Sequence, residues 1–436
     1  MLASATTRSC RCAGAIGTLV APRSDDSRTE APAHVKPAKR MERIGTETAF
    51  EAAARARALE ATGRSVIHLE LGEPDFDTPR NVSEAAARAL LEGGATHYTA
   101  ATGILPLREA IVADVKRWKG IDTTPEQVVV TPGAKPIMFF AMLALIDDGD
   151  EVIYPNPGFP IYESMARYVG GTPVPAPLRE ANDFRMDIEE VASLITPRTK
   201  LIVFNSPHNP TGSILTADDI RRLAELAVEH DLVVLADEIY GRLQYEGEPL
   251  SIATLPGMAE RTITLDGFSK TFAMTGWRLG YGVLPAWLVP DFSRLVINSV
   301  SCTSAFAQYG AIEALTGPQD AADAMRTEFI ARRQLMVDGL NAIPGVTCVM
   351  PHGAFYTFPN ISFFGRTSSE VADHLLYDGG VCGLSGTAFG KHGEGYLRFS
   401  YANSRENLTE ALERVGASLA RLSSTGELVT AGSVQA

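Results

Sequence analysis

The chain of 436 residues is poor in cysteine, in lysine and in long apolar runs. Its five cysteines (Cys10, Cys12, Cys302, Cys348 and Cys382) are odd in number and scattered, with no CxxC pair. Neither a zinc ribbon nor a disulfide framework is indicated, and a reduced, cytoplasmic setting is expected. The most continuous apolar stretch, residues 137–146, stops at Asp147 and Asp148. It is about half the length that crosses a bilayer, so it reads as a buried helix. A net charge of −13 disfavours nucleic acid and anionic membranes as partners. Neither GxSxG nor HExxH occurs, which removes the commonest serine-hydrolase and zinc-peptidase readings, and no metal site is expected. Residues 386–392 lack the hydroxyl that follows the lysine of a phosphate-binding loop.

What is present is ordinary globular composition, 45% hydrophobic and 21% charged, in a chain too long for one core. Two domains are expected. Residues 1–40 are rich in Ser, Thr, Ala, Pro and Arg, with no acidic residue before Asp25. They read as a disordered leader, a transit-like segment or an over-extended start, and residues 423–436 as a flexible tail. Between them, β-branched runs at 127–131, 151–154, 200–205, 232–236 and 262–266 are mostly separated by helical stretches such as 217–230. That alternation predicts an α/β fold: a mostly parallel sheet with helices on both faces. From about residue 324 a long amphipathic helix and strands at 345–350 and 355–358 predict a smaller α+β domain.

Ligands of such sheets bind beyond the carboxyl ends of the strands, so the polar residues that end these runs are the candidates. Only eight of the 39 basic residues are lysines, and one of them, Lys270, sits among Phe268, Phe272, Gly276 and Trp277. Burial near a cation such as Arg278 makes a lysine amine nucleophilic; a snorkelling lysine is the alternative. Asp237 ends an apolar strand, where a carboxylate is costly unless paired. It reads either as the partner of a protonated cofactor ring nitrogen or as a helix cap. Asn209, in Asn-Pro-Thr-Gly, is either a turn residue or a donor to a phenolic oxygen. Gly133, Ala134 and Lys135 open a helix whose free N–H groups suit a phosphate, with Arg278 as a further contact.

In order and spacing these segments resemble the class I pyridoxal-phosphate-dependent aminotransferases of fold type I, especially bacterial aspartate aminotransferases. The matching pieces include residues 72–79, Tyr98, 131–135, 154–162, 205–212, 237–240, 269–281, 353–356 and 398–401, so the resemblance spans about 45–422. It implies a large cofactor-binding domain over 81–325, a small domain over 326–422 and a segment, 41–80, that joins the small domain. It implies pyridoxal 5'-phosphate as cofactor. Lys270 then carries the cofactor covalently and moves the substrate's proton, and Asp237 pairs with the ring nitrogen. Asn209 and Tyr240 bond the phenolic oxygen, and Phe159 stacks on the ring. Gly133, Ala134, Ser269 and Arg278 hold the phosphate, with Tyr98 reaching the site of a neighbouring subunit in a homodimer. Arg398 binds the substrate α-carboxylate, and Gly72 and Asn209 lie beside it.

The resemblance also implies an L-amino acid donor and a 2-oxo acid acceptor such as 2-oxoglutarate, in ping-pong order. Lys135 reads either a distal substrate carboxylate, with Thr48 nearby, or the cofactor phosphate. Acidic donors are expected first, then aromatic donors or broad specificity. Three rivals are weighed: a carbon–sulfur β-lyase on the same fold, a non-catalytic cofactor-binding sensor domain, and a degenerate paralogue, against which stand Lys270, Asp237, Asn209, Arg278 and Arg398, all present.

Overall fold

The computed structural model describes residues 36–434. The chain divides into Met1–Ala38 and Lys39–Ala436. Of the first unit only residues 36–38 are described, without regular structure, so the expected leader lies almost wholly outside the described residues. The second unit carries every regular element among the described residues.

Twelve strands follow in chain order among these residues: β1 (Ile67–His68), β2 (Val128–Thr131), β3 (Glu151–Asn156), β4 (Thr172–Pro177), β5 (Thr199–Asn205), β6 (Val233–Asp237), β7 (Thr262–Gly267), β8 (Gly280–Val283), β9 (Tyr356–Thr357), β10 (Val381–Cys382), β11 (Leu384–Ser385) and β12 (Leu397–Ser400). Seven form one sheet in the order β2-β8-β7-β6-β5-β3-β4. Its pairings are parallel except those of β8, which runs against β2 and β7. Leu201, Val203 and Leu235 pack on one face of this sheet, and Ile202, Phe204, Val234 and Ala236 on the other. Burial on both faces is why these strands read as continuous apolar runs. The five expected strands are all present.

The two additional strands carried weak signals. β4, Thr-Pro-Val-Pro-Ala-Pro, is an edge strand. The N–H groups of Thr172 and Leu178 donate to Asp150 and Asn156, so Pro173, Pro175 and Pro177 fall at the alternate positions, where the ladder needs no donor. β8 contains two glycines, and Gly280 is required: a Cβ there would overlap the backbone of Gly133 and Ala134.

The second layer contains the antiparallel sheet β11-β12-β9 and the parallel pair β1-β10. Helices Asp320–Asn341 and Arg405–Thr425 share its core with Phe355, Tyr356, Phe399 and Tyr401. The strand expected at 345–350 is reduced to an isolated bridge between Thr347 and Asn360. The Asn341 side chain takes the place of a strand partner, bonding the N–H (2.8 Å) and C=O (3.0 Å) of Cys348. The tail expected from residue 423 also begins later. The last long helix runs to Thr425, and beyond it the Val429 N–H donates to His374 Nδ1 at 3.0 Å. Among the described residues no helix is long and apolar enough to cross a membrane.

Phe329 ties this layer together, stacking on Phe355 with ring centroids 5.2 Å apart and meeting Phe76 edge-on at 5.6 Å. Phe329→Ala is expected to destabilise the fold by about 3–5 kcal/mol, read as a lower denaturant midpoint.

Candidate active site

The carboxyl ends of β5, β6 and β7 lie side by side, and each delivers one polar group. Asn205 ends β5 opposite Asp237 on β6. Its amide donates to the Asp237 carbonyl (2.9 Å) and accepts from the Asn209 N–H (2.8 Å), fixing the turn that carries Asn209. Asp237 is 4% exposed. Its carboxylate accepts from the Tyr162 hydroxyl at 2.5 Å and the Ile239 N–H at 3.3 Å. No cation among the described residues pairs with it, and burial pushes its pKa up to about 6 against the effect of those two hydrogen bonds. The adjacent Glu238 faces a different environment. Lys119 bridges it (2.6 Å) to Asp266 (2.8 Å), and these two carboxylates raise the Lys119 pKa despite burial.

Lys270 follows β7 and donates to the Gly72 carbonyl at 2.5 Å. Burial, opposed by Glu73 and reinforced by the charges of Arg398, Lys135 and Arg278, lowers its pKa to about 8. The neutral form that a nucleophile or proton acceptor requires is therefore a minor fraction at neutrality and becomes the major form above about pH 8. Gly72 sits where a Cβ would strike the Tyr356 hydroxyl. That hydroxyl bonds Tyr240 at 2.8 Å. Burial raises the Tyr240 pKa strongly, which keeps its hydroxyl protonated and able to donate.

Arg398 enters from β12 and is 3% exposed. It donates to the Asn209 side chain at 3.2 Å and to the Glu70 carbonyl, and lies between the rings of Tyr356 (4.6 Å) and Phe389 (4.8 Å). Among the described residues no carboxylate comes within salt-bridge distance of it, and its Nε has no partner. A buried guanidinium in this condition is poised for an incoming carboxylate.

At the end of β2, Gly133 adopts φ +84° and packs so closely on the Arg278 guanidinium that a Cβ would overlap it. Arg278, at φ +53°, is anchored by the Thr275 carbonyl at 2.8 Å. Ala134 precedes helix Lys135–Leu145, and Ser269 is buried immediately before Lys270. Phe159 meets Tyr162 edge-on at 5.9 Å. Lys135 lies over the Phe159 ring at 5.4 Å and forms an ion pair with Glu47, whereas Thr48, the expected helper, stands at the start of helix Ala49–Glu60 with no side-chain cap bond. Tyr98 is 89% exposed. Sequence reasoning assigned no role to Tyr162, Asn205, Glu47 and Phe389. Tyr162 and Asn205 nevertheless carried a signal, at the ends of the matching segments 154–162 and 205–212.

The Aminotransferase class I and II family matches residues 64–415. The chain belongs to this family. An aromatic-amino-acid aminotransferase of Thermococcus litoralis is 43% identical over 80% of this chain and 90% of its own length. An aspartate aminotransferase of Pyrococcus abyssi is 43% identical over 81% and 91%. The solved aspartate aminotransferase of Thermus thermophilus with maleate superposes with a TM-score of 0.84 at 39% identity, covering 88% of this chain and all of that one. The fold is that of the fold type I aminotransferases, and the enzyme is a pyridoxal-phosphate-dependent aminotransferase.

The buried groups of this aminotransferase suit that cofactor. A cationic ring nitrogen would give the uncompensated Asp237 carboxylate the partner it lacks. A phosphate would meet free N–H groups at a helix start beside Arg278. For the cofactor-free protein, we expect covalent capture of added pyridoxal phosphate to accelerate as pH rises through about 8, because only the neutral Lys270 amine attacks the aldehyde. Borohydride reduction followed by peptide mass mapping reads this directly; a flat profile, or label on another lysine, would contradict it.

Proposed function

We propose that this aminotransferase moves the amino group of an L-amino acid, acidic or aromatic, to a 2-oxo acid such as 2-oxoglutarate in two half-reactions. The observation that carries the site assignment is the buried Arg398 guanidinium, which lacks a carboxylate and lies against the Asn209 amide. Its planar fork takes the α-carboxylate that every amino acid and every 2-oxo acid presents, so one site serves both half-reactions. Lys270 takes the substrate's α-proton onto Nζ and carries it away from the α-carbon; Gly72 orients the amine through its carbonyl. Bound pyridoxal phosphate supplies the sink for charge developing at the α-carbon. Asp237 would hold the positive charge of the cofactor's ring nitrogen, and Asn209 and Tyr240 would donate to its phenolic oxygen. Gly133, Ala134, Ser269 and Arg278 retain the phosphate, and Phe159 covers the ring.

The large domain spans 81–325, and the small one comprises 326–422 together with the N-terminal segment 41–80. The working form is a homodimer in the cytoplasm, with the exposed Tyr98 completing the site of a second copy. Relatives named for aspartate and for aromatic amino acids fit a donor range that includes both.

Mixing purified enzyme with single amino acids and following the visible spectrum tests this reading; no spectral change with any donor would defeat it. Lys270→Ala is expected to abolish the half-reaction with every donor. Arg398→Lys is expected to lower kcat/KM by a factor on the order of 100 or more for all donors alike, since a point charge cannot replace a two-pronged contact. Unchanged kcat and KM would remove Arg398 from its assigned role.

A further inference from the structure

Lys135 lies over Phe159, and its ammonium is already engaged by Glu47. Glu47 lies just before helix Ala49–Glu60, 88 residues away in sequence, and is part-buried. It also reaches into the site electrostatically: its charge acts on Arg398 and on Tyr356. The segment leading to it, residues 42–45, forms one wall of a cavity of about 350 Å³. Phe159 and Phe389 belong to the same lining, and Phe389 is the ring that stacks on Arg398. This cavity and the Arg398 guanidinium thus share the Phe389 ring.

We propose that Glu47 is a specificity-determining residue that occupies Lys135 as a built-in competitor for a substrate's distal carboxylate, so that donors with uncharged side chains are favoured over aspartate and glutamate. An acidic substrate must detach Glu47 from Lys135 and then sit beside its negative charge. An aromatic or aliphatic side chain meets Phe159, Phe389 and the intact ion pair, with no like charge to face. The pair is only partly buried, with the Lys135 side chain 46% exposed, so the bias is moderate, not absolute. This reverses the order expected from Lys135 alone.

The inference rests on the proposed aminotransferase reading, and one set of measurements separates the two. Half-reaction kcat/KM is measured with aspartate and with phenylalanine for the unaltered enzyme, for Glu47→Gln and for Glu47→Gln combined with Lys135→Met. In Glu47→Gln the aspartate-to-phenylalanine ratio is expected to rise on the order of tenfold, and adding Lys135→Met is expected to cancel the rise. Calorimetric binding provides a readout independent of turnover. The dicarboxylate maleate is expected to tighten in Glu47→Gln by a similar factor relative to 3-phenylpropionate. An unmoved or lowered ratio, or a gain that survives loss of Lys135, overturns the role of Glu47. Turnover of neither amino acid by the unaltered enzyme overturns the underlying reading instead.

Discussion

Burying an ionised carboxylate without a cation is among the costlier things a fold can do, and this one does so at the end of its central strand. Asp237 receives one hydroxyl and one N–H, which soften the penalty but do not remove it. The protein has a suitable cation close by in Lys119, yet places it between Glu238 and Asp266. Neighbouring carboxylates are thus sorted at the strand end: one is neutralised internally and the other left in want of a positive partner. Had Lys119 paired with Asp237, the strand end would be more comfortable and a cationic ring would have nothing to gain there. The desolvation cost of Asp237 is therefore best understood as part of the binding free energy of whatever cation completes it.

The basic residues of the site show the converse arrangement. Lys270, Arg398, Lys135 and Arg278 bring positive charge together, and the last three all act to lower the Lys270 pKa. Such a cluster attracts a doubly negative phosphate and a substrate carboxylate while holding one amine ready to lose its proton. Carboxylates among these groups are placed selectively. Glu73 acts on Lys270 and Glu47 binds Lys135, but Arg398 and Asp237 remain without ionic partners among the described residues. The separation between unpaired acid and unpaired bases gives the site its polarity.

Much of this was legible in the chain. Strands buried on both faces leave uninterrupted apolar runs, and such runs end abruptly where a polar residue is tolerated only for a purpose; Asn209, Asp237 and Lys270 follow from that rule plus the order of the motifs. Edge strand β4 hid behind its prolines, and β8 behind glycines demanded by close backbone approach. Arg398 looked like any arginine in a short strand and was identified through resemblance, because its distinction is a lack of partners, which only packing reveals. Glu47 had no signal at all. A carboxylate in a polar segment before a helix is unremarkable until the fold brings it to a lysine 88 positions further on.

Function in this molecule depends on two layers meeting at atomic distance. The main sheet supplies Asn209, Asp237 and Lys270, while the second layer supplies Tyr356 and Arg398. Three contacts set their spacing: the Asn209–Arg398 bond, the Tyr240–Tyr356 bond, and Gly72, whose missing side chain lets Tyr356 approach while its carbonyl holds Lys270. Each contact links a residue that the main sheet or Gly72 positions to one of the second layer. With Arg398 and Lys270 in their proposed roles, a shift of either layer would misplace the α-carboxylate relative to the amine, and misplacement by about 1 Å can cost on the order of 100-fold in rate. On this view the aromatic packing of Phe329, Phe355 and Tyr356 behind Arg398 belongs to the catalytic apparatus as much as to the core, because it is the rigid support against which that distance is kept.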